Sequence, residues 1–224
     1  MTQFNELLLA LFFVSCLMMA VSCRLLHCIR LVAMQGILLG ILPLTISGTF
    51  SLEHPVMSAV NFLLKGIALP ALLYMAMKKA DVKRELEPVV GYSFSAAIIL
   101  ILTLFSFYIT NKMGTPVHSA PLANIAIPAS FTMVMTGLFI IIARKKALTQ
   151  VIGFLVFENG ITLFGAAAMR EHPVIVELGI LLDVLVLVFI MGITVFQISR
   201  AFSHVDADRL NQLDDLPDNG EVRS

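Results

Sequence analysis

Charge is scarce in this chain of 224 residues: only 13% are Asp, Glu, Lys or Arg, and the 15 acids cancel the 15 bases. With neither sign in surplus and no interleaving of basic and aromatic residues outside short joints, a nucleic-acid partner is excluded. Cysteine is as sparse. Cys16, Cys23 and Cys28 form no CxxC pair and no metal-ligand spacing, so they read as small core residues. There is no glycine loop for phosphate, no HExxH and no Ser/His/Asp constellation. An iron–sulfur cluster takes about four thiolates, so any redox centre this chain serves is expected in a partner and not here.

What the chain has in abundance is hydrocarbon. At 58% hydrophobic residues and a mean hydropathy of +0.93, it exceeds what a water-soluble domain of this length carries. Its charges gather in joints between apolar runs long enough to cross a bilayer. Seven such runs can be counted, near 4–23, 31–50, 56–77, 89–109, 121–142, 149–168 and 174–199. In lipid every backbone group must find a partner within the segment, so runs of this length are helices. The expected fold is an all-α, polytopic transmembrane helix bundle of about seven spanning helices. The first run has no basic stretch before it and no small-residue cleavage site after it, and reads as a retained helix.

Lysine and arginine set the orientation. Arg24, Arg30, Lys78, Lys79, Lys83, Arg84, Arg144, Lys145, Lys146, Arg200, Arg209 and Arg223 follow alternate runs, against Lys112 and Arg170 on the other side. The bias places the N-terminus outside and the C-terminus in the cytoplasm. The basic turn Arg144-Lys145-Lys146 reads first as this topology signal, and secondarily as a contact for lipid headgroups or a peripheral partner. Residues 203–224, acidic and without apolar periodicity, read as a flexible cytoplasmic tail.

Three ionisable residues interrupt the apolar runs. Glu158, Asp183 and Lys65 each lie about ten residues into a run, roughly 15 Å deep at 1.5 Å per residue, near one common height. A charge at that depth costs roughly 2.5 to 3.5 kcal/mol on insertion scales, so it marks a functional site. Burial works against the charged form of acid and lysine alike, as a site that gains and loses protons requires. Glu158 shares a helix face with Thr162 and Gly165, and Lys65 with Ser58 and Asn61. The plainer reading is a set of fixed ion pairs that specify helix register.

Other features are local. Gly36 and Gly40 have the spacing that lets two helices approach closely. Pro43, Pro70 and Pro128 each remove a ladder hydrogen bond; Pro70 frees the carbonyl of Gly66, one residue from Lys65. Tyr92 and Tyr108 suit the two membrane interfaces, and His118 reads as an incidental loop residue.

The segment Gln150-Val151-Ile152-Gly153-Phe154-Leu155-Val156-Phe157-Glu158-Asn159-Gly160, with Val176-Glu177-Leu178-Gly179-Ile180-Leu181-Leu182-Asp183, resembles the component E subunit of hydrogenase 4. That family belongs to membrane-bound [NiFe] hydrogenases of the formate hydrogenlyase type, and the stretch from Lys65 to Pro70 matches it too. The last three helices are also similar to the K subunit of respiratory complex I and the C subunit of multisubunit sodium/proton antiporters. The resemblance divides the chain into an N-terminal four-helix membrane extension (1–120), a K-subunit-like three-helix unit (121–202) and the acidic tail (203–224).

It implies a non-catalytic, multi-pass subunit in a bacterial inner membrane. Glu158 and Asp183 would be its proton-transfer sites, and Lys65 would tune them. Asp183 departs from the K-subunit pattern, which has glutamate, by one methylene. The [NiFe] centre and iron–sulfur clusters would lie in a peripheral hydrogenase arm, beside antiporter-like and complex I-like membrane partners. A sodium/proton antiporter subunit without redox chemistry, and a purely structural anchor, are the alternatives.

Overall fold

The computed structural model describes residues 2–22, 24–46, 59, 62–79, 91–112, 123–144, 146–168, 179, 182, 184–186, 188 and 190–192. Asp183, His118, Ser58, Asn61, Cys23, Lys145, the joint around Arg170 and the tail 203–224 lie outside the described residues.

All described elements are helical: α1 (Thr2–Val21), α2 (Leu25–Ile46), α3 (Phe62–Ala68 continuing as Leu69–Lys79), α4 (Tyr92–Lys112), α5 (Ala123–Ala143) and α6 (Ala147–Ala168). The described residues between 179 and 192 are helical as well. Four helices, α2, α4, α5 and α6, are long and apolar enough to span a membrane, and α1 contributes a shorter apolar stretch, Asn5–Val21. The protein is an all-α polytopic membrane helix bundle.

Two tight turns set the packing. Between α1 and α2 the Arg24 carbonyl accepts from the N–H groups of His27 (3.0 Å) and Cys28 (3.3 Å). Between α5 and α6 the Lys146 carbonyl accepts from Thr149 (2.9 Å) and Gln150 (3.1 Å). Connections this short make each pair antiparallel neighbours. The first turn comes earlier than the sequence suggests: α2 begins at Leu25 and not near 31, and Arg30 is an exposed helical residue. An arginine near a helix end keeps its charge at the interface by extending its stem, so it need not end the helix.

Glycines bring the helices into backbone contact, which is how membrane helices gain packing energy where no hydrophobic drive separates them. Gly36 lies against the backbone of Lys65 and Gly66, and Gly40 against Phe62, so the expected close approach of α2 is made to α3. Gly137 of α5 packs on Gly153 and Phe157 of α6, while Gly160 packs on Ser130 and Val134. The resulting core draws Phe12, Cys16, Leu42, Leu73, Ile99, Met133, Ile152 and Leu163 together from all six helices, with Ile190.

Helix α4 is the most exposed of the four spans. Its Ser95, Ile99, Ser106 and Thr110 face the bundle, and Phe94, Leu100, Ile101, Leu104 and Tyr108 face outward. Ser106 and Thr110 donate to carbonyls one turn back (2.8 Å each), so their hydroxyls need no partner from another helix.

A Cβ on Gly36 would come 2.5 Å from the Lys65 carbonyl, whereas one on Gly91 meets nothing within 4 Å. Thermal unfolding in detergent is expected to show Gly36→Leu losing about 1–3 kcal/mol by overpacking. Gly91→Ala should stay within about 0.5 kcal/mol of the parent. Equal stability of the two variants would contradict the close α2–α3 contact.

Candidate functional site

Lys65 sits at the middle of a helix wound unusually. Residues Phe62–Ala68 form a π-helix, and α-helical winding resumes at Leu69. Pro70 follows directly: it has no N–H for the Gly66 carbonyl, and its ring crowds that carbonyl in regular α-geometry. A wider turn just before the proline relieves the crowding, and such turns recur at functional positions in membrane and soluble helices alike. Opposite it, Gly36 and Gly40 leave room for the broadened segment.

From this turn the Lys65 side chain reaches α6. Its Nζ stands 3.1 Å from Oε1 of Glu158, and the two side chains are only 2% and 1% exposed. The ammonium donates an N–H to Thr162 Oγ1 at 2.8 Å. The Thr162 hydroxyl in turn donates to the backbone carbonyl of Glu158 at 3.0 Å, which aims its lone pairs at the lysine. Thr162 stands four residues beyond Glu158, one turn along the same face, so one face of α6 offers the ammonium both a carboxylate and a hydroxyl.

Two of the three expected charged residues therefore meet: Lys65 pairs with Glu158. Asp183 lies outside the described residues. Thr162, expected only to share the acid's face, is a direct partner of the lysine. Removing one member of a buried pair strands the other charge, whereas removing both together is close to neutral.

A second buried charge was not foreseen. Arg144, in the turn read as a topology signal, is only 4% exposed. Its Nη2 donates to the Ala20 carbonyl in the last turn of α1 at 3.5 Å, and its guanidinium lies over the Tyr92 ring, 5.5 Å from the centroid. Its own carbonyl accepts from Gln150 Nε2 at 3.1 Å. A cation at the C-terminal end of α1 meets the negative end of that helix dipole. Arg144 thus ties α1, α4 and the α5–α6 turn together; the signal in the sequence was its place between two closely packed helices.

Among the described residues, no group of three or more His, Cys, Asp or Glu is placed to hold a metal ion.

No protein-family model matches the chain. Among curated proteins, the uncharacterized protein Rv0085 of Mycobacterium tuberculosis is 35% identical over 191 residues, covering 84% of this chain and 85% of that protein. The chain belongs to the Rv0085 family. This Rv0085-family chain is also similar, at greater distance, to hydrogenase-4 component E of Escherichia coli K12: 23% identical over 208 residues, covering 92% of this chain and 93% of that protein. The Shigella flexneri protein of that name gives the same figures. No solved structure matches.

In thermal unfolding, Lys65→Met alone is expected to cost about 3–5 kcal/mol, and Lys65→Met with Glu158→Leu much less than the sum of the single changes. Additive losses would mean that the two side chains do not interact.

Proposed function

We propose that this chain is a non-catalytic membrane subunit of a hydrogenase complex related to complex I, in which the Lys65–Glu158 pair exchanges protons as redox chemistry is coupled to ion movement. The observation that carries this reading is an ion pair held dry in the middle of an apolar bundle. Such a charge is expensive in lipid, and polytopic proteins keep it where protons or ions pass. The distant similarity to hydrogenase-4 component E supplies the kind of complex.

The chemistry requires the pair to alternate between an ionised state and one in which the carboxyl holds a proton. In the ionised state Lys65 bridges Glu158 and Thr162. When Glu158 takes up a proton, the attraction weakens, and Thr162 gives the ammonium a place to rest without leaving the site. Asp183 would be the next acid in the row, one helix further on. The bundle would lie in a bacterial inner membrane with about seven spans, N-terminus outside and C-terminal tail in the cytoplasm. The [NiFe] centre and iron–sulfur clusters would belong to a peripheral arm, and the main ion channels to antiporter-like partners.

A fixed structural pair is the second reading, favoured by the way Thr162 buttresses the lysine. Glu158→Gln separates the two, because it keeps shape and hydrogen bonding while removing the titrating group. In the assembled complex, reconstituted in vesicles, it is expected to lower proton translocation coupled to hydrogenase turnover by about tenfold or more, with turnover and subunit content retained. Undiminished coupling in that variant would leave the pair a structural role only.

A further inference from the structure

A hydroxyl can offer its neighbour a proton or a lone pair, and which it offers depends on where its own proton already points. The proton of Thr162 Oγ1 is committed to the backbone carbonyl of Glu158 at 3.0 Å. Toward Lys65 Nζ, at 2.8 Å, the same oxygen can therefore only accept. The contact has a fixed direction. Nitrogen donates, oxygen accepts, and the residue whose carbonyl fixes this is the one whose carboxylate faces the ammonium at 3.1 Å.

That direction separates two ways in which the pair could change protonation. In the first, Lys65 passes a proton to Glu158, leaving an amine and a carboxyl; the pair is neutral before and after. In the second, the Glu158 carboxylate takes a proton from hydronium, which leaves as water, while Lys65 stays an ammonium; the pair goes from neutral to one positive charge. The first exchanges a charged donor on Thr162 for a neutral one, and a hydrogen bond from an ionised donor is roughly twice as strong. It also leaves the amine a lone pair to which Thr162 has no proton to give. The second keeps the Lys65–Thr162 bond whole. Burial points the same way: the Lys65 and Glu158 side chains are 2% and 1% exposed, whereas Thr162 is only half-buried, so the ammonium's hydroxyl partner stands at the less dry margin of the site.

We infer that Lys65 keeps its proton throughout, that Glu158 is the member of the pair that takes one up and releases it, and that Thr162 is the positioning residue that sets this division. The inference rests on the proton-exchange reading of the pair and adds to it which side chain titrates. It also gives the site an output. A pair that merely passes a proton between its members changes little at a distance, whereas one that gains a whole charge in a low-dielectric interior acts on charged groups of neighbouring subunits.

The test uses the assembled complex in lipid, with infrared difference spectra taken with and without hydrogenase turnover on protein carrying nitrogen-15 lysine. The carbonyl band of a protonated Glu158 is expected to appear with no loss of a nitrogen-15-sensitive ammonium band traceable to Lys65; loss of that band overturns the inference. Thr162→Val keeps the side-chain shape and removes the acceptor, which shifts the ammonium onto the carboxylate. It is expected to abolish the Glu158 carbonyl band and lower coupled proton transport by about tenfold or more, while Thr162→Ser, which restores the hydroxyl, keeps both. A Thr162→Val complex that loses thermal stability but retains the band and the coupling makes Thr162 a buttress only, and overturns its positioning role. Normal coupling in Glu158→Gln sinks the proton-exchange reading itself; uncoupling in Glu158→Gln with normal coupling in Thr162→Val sinks only the part assigned to Thr162.

Discussion

The bundle is arranged around one ammonium and one carboxylate held 3.1 Å apart where water does not reach. Removing two charges from water costs several kcal/mol each, and their attraction offsets this only when geometry and remaining hydrogen bonds are right. Each neighbouring feature serves that condition. The π-wound turn before Pro70 carries the lysine, Gly36 makes space for its backbone, and Thr162 accepts a hydrogen bond from the ammonium. The same geometry would suit the proposed exchange, since the lysine could lean on the hydroxyl if the carboxyl took up a proton.

Two further arrangements hold the pair in place. The glycine contacts between α5 and α6 bring their backbones together and fix the face that α6 turns toward α2 and α3. At the basic end, Arg144 joins the C-terminal turn of α1 to Tyr92 and the α5–α6 turn. A cation at that position meets carbonyls with an unfilled acceptor and an aromatic face, both favourable for guanidinium. Ser15, Gln35, Thr136 and Asn159 are buried in the same bundle.

Much of this was legible in the sequence because hydrocarbon thickness counts residues. The apolar runs give α1, α4, α5 and α6 to within a few residues, and depth along a run puts Lys65 and Glu158 at one height. What a run does not encode is rotation relative to helices distant in the chain. The sequence does not say which acid Lys65 meets, and among the described residues the packing of α3 and α6 against α2 selects Glu158. Thr162 was visible as a residue one turn from Glu158, yet its role depends on where the lysine arrives. The π-winding follows from Pro70 crowding the Gly66 carbonyl where the glycines of α2 leave room, and the burial of Arg144 from the closure of α1 and α4 over a turn that reads as a topology signal. Misplacing the start of α2 came from treating Arg30 as a terminator, when its long stem carries the charge to the surface.

Glu158 is proposed to change protonation while paired with Lys65. Infrared difference spectroscopy of the complex in lipid, with and without hydrogenase turnover, reports this directly through the carbonyl stretch of a protonated carboxylic acid. A band that appears during turnover, shifts in deuterium oxide and is missing from Glu158→Gln is expected. A carboxylate that stays ionised throughout turnover, with no such band traceable to Glu158, would contradict it.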